Sequence, residues 1–102
     1  MSIAGEAPTV TVTAHGELDC SNVQPLADAL LAAILRPGVL TVVVDLSAVT
    51  FISAAVLGTL VGARNQARVR GVRLRVWVTR PRLRRLFTIT DLERIFLIDL
   101  PA

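Results

Sequence analysis

The sequence predicts a single α/β domain in which a mixed β-sheet of about four to five strands packs with three to four helices. Short runs rich in β-branched residues alternate along the chain with amphipathic helical segments, an order typical of strands paired in parallel through helical crossovers. The chain has 102 residues, of which 53% are hydrophobic. That length is sufficient for one buried core and leaves little room for a second domain.

The first predicted elements are a strand and an amphipathic helix. Thr9 to Ala14 alternates apolar residues with threonine, as a half-buried strand does. Residues 1–8 precede it as an N-terminal arm or a short edge strand. A helix then begins at Ser21 or Asn22, either of which can serve as its N-cap, and it ends at Pro37-Gly38.

A central strand and a second helix follow. Leu40 to Leu46 is an apolar run without alternation, which predicts a central strand covered on both faces. Asp45-Leu46-Ser47 ends this strand, and a loop leads to a helix over Ser53 to Val69. The first two turns of that helix are apolar around most of their circumference, although one stripe is sufficient for a core. The surplus is covered either by a neighbouring helix or by another protein; the stripe itself comprises Val56, Leu60, Ala63 and Ala67.

The remaining elements complete the sheet. Val72 to Val78 alternates apolar residues with Arg73, Arg75 and Trp77, which predicts a strand with two different faces. A short third helix begins at Pro81. Ile95 to Ile98 is a final strand or a closing apolar segment, so we place the domain over residues 9–100.

The sequence lacks the residues that several classes of function require. No apolar segment is long enough to cross a bilayer and the N-terminus lacks the features of a signal peptide, so we expect a soluble, cytoplasmic protein without membrane insertion. The single Cys20 and single His15 provide neither a disulfide nor a metal site. Because no phosphate-binding loop or catalytic motif is present, we predict no enzymatic activity, no catalytic residues and no cofactor.

Charge is distributed unevenly along the chain. Residues 1–51 contain one arginine and five acidic residues, whereas residues 52–102 contain ten arginines and three acidic residues. Such an asymmetry is compatible with a nucleic-acid surface. No helix-turn-helix, zinc or ribonucleoprotein signature accompanies the arginines, so we predict that they lie on solvent-facing sides of helices and strands and bind no nucleic acid directly.

Five short motifs follow one another in a defined order. They are Gly16-Glu17-Leu18-Asp19, Asp45-Leu46-Ser47-Ala48-Val49-Thr50-Phe51-Ile52, Leu57-Gly58, Leu83-Arg84-Arg85-Leu86-Phe87 and Asp91-Leu92. Together they resemble the STAS domain family over residues 9–98. Within that family the chain is most similar to the bacterial anti-anti-sigma factors, also called anti-sigma factor antagonists, which are cytosolic single-domain proteins.

The resemblance implies a protein-binding switch in transcription regulation. Unphosphorylated members bind an anti-sigma factor, usually a serine kinase with a histidine-kinase-like fold, and thereby release a sigma factor. Phosphorylation of a serine at the start of the second helix breaks this protein-protein interaction. The partner-binding residues that we predict are Asp19, Ser53, Ala54, Ala55, Leu57, Gly58 and Val61.

This chain departs from the family at its phosphorylation site. The usual Asp-Ser-Ser/Thr-Gly stretch falls on Ser53, Ala54, Ala55 and Val56, so the phospho-acceptor position is Ala55, which has no hydroxyl. We favour an antagonist that is insensitive to phosphorylation at the usual site. In a second interpretation Ser53 is a substitute acceptor, although that residue is better suited to be the N-cap. In a third, the domain no longer binds a kinase and uses its fold in another assembly.

Other partners stay open at this stage. Single STAS domains also resemble small subunits that bind the ATPase of ABC-type lipid-transport complexes, which is our alternative function. Nucleotide binding near Asp19 and Ser53, with help from nearby arginines, is a further hypothesis. A homodimer is also compatible with the sequence.

Overall fold

The strands of the sheet follow their order in the chain. The computed structural model describes residues 1–99, and side chains up to residue 96. Its strands are β1 (Ser2–Ala4), β2 (Thr9–Leu18), β3 (Thr41–Ile52), β4 (Arg73–Trp77) and β5 (Leu97–Asp99), and its helices are α1 (Val23–Ile34), α2 (Ala54–Val69), α3 (Pro81–Ile89) and a 3-10 turn (Leu92–Arg94).

The sheet is mixed, in the order β1-β2-β3-β4-β5. β1 runs antiparallel to β2, and the other three neighbouring pairs are parallel. Each crossover advances by one strand in the same direction. Because such crossovers are right-handed, all three helices lie on one face of the sheet. The predicted α/β fold class is confirmed.

The core lies between this face and the helices. Strand register aligns buried side chains in rows, such as Val10, Val42 and Leu74. The helices contribute apolar side chains to the same cluster, in which Phe87 and Phe96 make an edge-to-face contact with ring centroids 6.1 Å apart. Of the predicted α2 stripe, Val56, Leu60 and Ala67 are fully buried and Ala63 is partly buried.

The opposite face of the sheet carries no helix within the described residues. Burial alternates along β3, where Val42 and Val44 are buried while Val43 and Asp45 are only partly buried. The prediction that this strand is covered on both faces was therefore wrong. Val43 lies in register between Thr11 and Arg75, and a β-branched residue fits such a half-covered sheet surface without needing a second layer.

Strand β3 is also longer than predicted. It continues past Asp45-Leu46-Ser47 to Ile52 and pairs with β2 along this whole length. Two register shifts, between Thr13 and His15 and between Gly16 and Glu17, allow the 12 residues of β3 to pair with the 10 of β2. Such bulges interrupt the period-two pattern, which is why this part of the strand resembled a loop in the sequence.

The other boundaries are close to the predicted ones. Residues 2–4 form a strand rather than a frayed arm, and the final strand begins at Leu97. Residue 100, the predicted end of the domain, lies outside the described residues. None of the helices in residues 1–99 combines the length and apolar character that crossing a bilayer requires.

Candidate functional site

The predicted site lies at the edge of the sheet where β2 and β3 end. Leu18 and Ile52 are opposite one another in register, so the residues that follow them, Asp19 and Ser53, leave the sheet side by side. The backbone N–H of Ser53 donates a 3.0 Å hydrogen bond to the carbonyl of Leu18. The structure thus brings Asp19, from the β2–α1 loop, next to the start of α2.

Hydrogen bonds order the loop that carries Asp19. One carboxylate oxygen of Asp19 accepts from the hydroxyl and the backbone N–H of Ser21, at 2.5 and 2.9 Å. The amide side chain of Asn22 accepts from the N–H of Asp19 and donates to the carbonyl of Glu17, both at 2.8 Å. The Ser21 hydroxyl bond is the largest of the causes that lower the pKa of Asp19 below its usual value. The carboxylate is therefore a negative charge held in place beside the helix start.

Ser53 occupies the N-cap of α2 but does not cap it with its side chain. Its backbone is extended, with φ −85° and ψ 168°, and its carbonyl accepts from the N–H of Val56 at 3.1 Å. The hydroxyl oxygen is buried and has no hydrogen-bond partner among the described residues. The N-cap position is confirmed, whereas the side-chain bond typical of serine caps is missing.

The start of α2 presents a small, uncharged surface. Ala54, Ala55 and Gly58 are exposed, whereas Leu57 and Val61 are partly buried and pack against the core. No acidic residue lies in the first turn of the helix. The apolar residues of α2 that lie outside the core stripe therefore fall into two groups. The larger side chains, Leu57 and Val61, are partly covered, whereas the small Ala54 and Ala55 face solvent.

Helix α1 covers one flank of α2 incompletely. The two helices leave a shallow groove of about 270 Å³ on their outer side, lined by Ala27, Leu31, Ile34, Thr59, Gly62, Ala63 and Gln66. Leu31 is 45% exposed there. The groove extends the apolar surface of the helix start along the α1 side.

Comparison of the sequence with models of known protein families identifies the class of this domain. The model of the STAS domain matches residues 2–100, a range that contains the whole described sheet, all three helices and every residue of the predicted site. The chain belongs to the STAS domain family. The match includes β1, ahead of the first predicted motif.

Several solved structures share this fold at low sequence identity. An anti-sigma factor antagonist from Mycobacterium paratuberculosis is 24% identical, with a TM-score of 0.85 over 99% of this chain and 84% of that one. The anti-sigma factor antagonist SpoIIAA in its unphosphorylated form is 19% identical, with a TM-score of 0.82 over 99% of this chain and 87% of that one. SpoIIAA, a Bacillus cell fate determinant, in its phosphorylated form is also 19% identical, with a TM-score of 0.76 over 99% and 90%.

One exposed residue at this edge of the STAS domain, Phe51, was not among the predicted partner-binding residues. Phe51 is 50% exposed and pairs in register with Glu17, two positions before Ser53. The signal was present, because Ile52 points into the core and successive residues of a strand point to opposite faces. Phe51 therefore presents a large apolar side chain on the side of the sheet away from the core, at the edge where α2 begins.

Proposed function

We propose that this STAS domain is an anti-sigma factor antagonist of the bacterial cytoplasm, with a binding role rather than a catalytic one. It binds an anti-sigma factor through the N-terminal part of α2 and thereby releases a sigma factor. The observation that carries this proposal is the exposed, uncharged surface of Ala54, Ala55 and Gly58. The solved relatives with this fold, described as anti-sigma factor antagonists, support it.

The surroundings of this surface suit a protein partner. Small residues on a helix allow another chain to approach the backbone closely, and the partly buried Leu57 provides an apolar contact beside them. The absence of charge at Ala54, Ala55, Leu57 and Gly58 also fits the core of a protein interface, which is depleted of charged residues. Asp19, at the rim, supplies one localised negative charge that favours a partner with a basic group at the matching position.

We further propose that phosphorylation at the usual position does not regulate this binding. Ala55 offers an exposed methyl group where the resemblance places the acceptor hydroxyl. Ser53 is a poor substitute, because its hydroxyl oxygen is buried and a kinase needs access to that atom. The surface is then constitutively available to its partner, which we expect to be an anti-sigma factor of the serine kinase type with a histidine-kinase-like fold.

Displacement of the sigma factor tests the function directly. The cognate anti-sigma factor, identified by affinity capture from the native cell, is first bound to its sigma factor, and purified STAS protein is then added. We expect free sigma factor to appear in proportion to the added protein. An unchanged complex at excess STAS protein would contradict the proposal, as would capture of an ABC-type ATPase in place of an anti-sigma factor.

Mass spectrometry after incubation with the partner and ATP tests the phosphorylation proposal. We expect no phosphate on the unmodified protein. The Ala55→Ser variant is the positive control, because it supplies an exposed hydroxyl at the family position and should be modified if the partner is an active kinase. Stoichiometric phosphate on Ser53 of the unmodified protein would show that the acceptor has been displaced rather than lost.

A further inference from the structure

A strongly basic pocket lies at the far end of α2 from Ser53. We call it the basal arginine pocket; it has a volume of about 390 Å³ and is lined by Arg64, Arg68, Gly71, Val72, Arg73, Leu74, Arg94 and Ile95. Ala55 and Arg68 are 13 positions apart in one helix, or roughly 20 Å at the α-helical rise. The pocket is therefore separate from the proposed partner surface.

Three different elements bring the arginines together. Arg64 and Arg68 are one turn apart on the same side of α2. The chain then reverses at Gly71, which has φ +72°, and the N–H of Val72 donates a 2.8 Å hydrogen bond to the carbonyl of Ala67. Arg73 begins β4 directly afterwards, while Arg94 comes from the 3-10 turn. The convergence thus depends on the tertiary fold and not on one basic segment of sequence.

The positive charge of the pocket is almost uncompensated. No acidic residue lines it, and within the described part of the chain Arg64, Arg68 and Arg73 form no ion pair. Arg94 pairs with Asp91 at 3.3 Å, but both side chains are largely exposed, and such surface pairs contribute little. The helix dipole explains a cation in the last turn of α2, which is Arg68, but not the arginines of β4 and of the 3-10 turn.

The chemistry of the lining selects a class of ligand. Guanidinium groups present forked donors that match phosphate oxygens, and a concave, partly apolar wall strengthens their field relative to open water. Val72 and Leu74 are buried at 6% and 4% exposure and provide such a wall. We propose that the basal arginine pocket binds a compact phosphate anion that carries at least two negative charges.

Concavity favours a compact anion over an extended nucleic acid, which would need arginines spread along a face. Two sources can supply this chemistry, a soluble oligophosphate or the phosphate headgroup of an anionic lipid. Val69, which is 88% exposed and lies beside Arg68, would reach the apolar layer in the second case. The experiment therefore has one arm for each source.

The first arm is an NMR titration of the ¹⁵N-labelled protein with sodium tripolyphosphate. We expect the amide signals of Gly71 and Val72 to shift, with weaker binding at higher salt because the charges are screened. Arg73→Glu should weaken binding by about tenfold or more, as expected for the loss of a charge-assisted contact. Arg82→Glu is the matched control, because Arg82 is exposed in the first turn of α3 and its replacement changes the net charge equally.

The second arm is co-sedimentation with vesicles of phosphatidylcholine alone or mixed with phosphatidic acid, whose phosphomonoester headgroup can carry two negative charges. Binding to the mixed vesicles that is lost in Arg73→Glu and kept in Arg82→Glu supports a lipid phosphate as the source. If Arg73→Glu does not fold, Arg68→Gln replaces it in both arms, with Arg82→Gln as its matched control. The proposal is overturned if neither probe binds, or if Arg82→Glu weakens binding as much as the pocket variants do.

Discussion

Ala55→Glu is the substitution that most directly probes the partner surface. Ala55 is exposed at the second position of α2, whose first turn contains no acidic residue. A carboxylate there interacts favourably with the helix dipole by about 0.3–1 kcal/mol, while glutamate has a slightly lower helix propensity than alanine. These two terms nearly cancel. We expect the free energy of unfolding to change by less than about 0.5 kcal/mol.

Binding to the anti-sigma factor should respond very differently. If Ala55 lies in the proposed interface, the new carboxylate is placed in an apolar contact without a partner, and an unpaired charge in an interface costs about 2–3 kcal/mol or more. The dissociation constant should therefore rise by roughly 30- to 150-fold. Isothermal titration calorimetry measures this change, and urea denaturation of the same sample measures the stability.

The matched control is Ala32→Glu, an identical exchange at an exposed position of α1. It should leave the affinity for the anti-sigma factor unchanged within about threefold. Full partner affinity of a folded Ala55→Glu variant would refute the assignment of this surface. An equal loss in both variants would mean that net charge, and not the position on α2, determines binding.

Two further predictions concern the scaffold of the site. Phe87→Ala should destabilise the domain by about 3–5 kcal/mol, because Phe87 is fully buried and loses its edge contact with Phe96. Urea denaturation measures this loss, Phe87→Leu should cost less, and a loss below about 1 kcal/mol would contradict the packing. The lowered pKa of Asp19 means that its ionised form stabilises the folded state above the pKa of the unfolded chain, and that this contribution disappears as the pH falls through the lower, folded-state pKa. The difference in melting temperature between the parent and Asp19→Asn should therefore shrink in strongly acidic solution, and a constant difference would show that the charge is not involved.

Hydrophobic periodicity identified most elements because it reflects the face that each one buries. The stripe of α2 illustrates this, since Val56, Leu60 and Ala67 are all fully buried. The prediction that Ala55 stands at the phospho-acceptor position also comes from the sequence, because it depends only on the spacing from motifs on either side. Periodicity was less informative for β3, where two bulges shift the alternation and where a run of valines looks alike whether one face or both are covered.

The sequence by itself therefore determined the α/β order and the main core stripe, and it carries the prediction that Ala55 replaces the phospho-acceptor, all of which depend on residues close together in the chain. Only the tertiary structure decided that one sheet face carries no helix within residues 1–99, that the hydroxyl of Ser53 is buried, and that arginines from α2, β4 and the 3-10 turn meet around one pocket. Each of these features depends on which distant segments become neighbours. Local periodicity does not indicate which distant segments become neighbours, because the packing of whole elements against one another determines this.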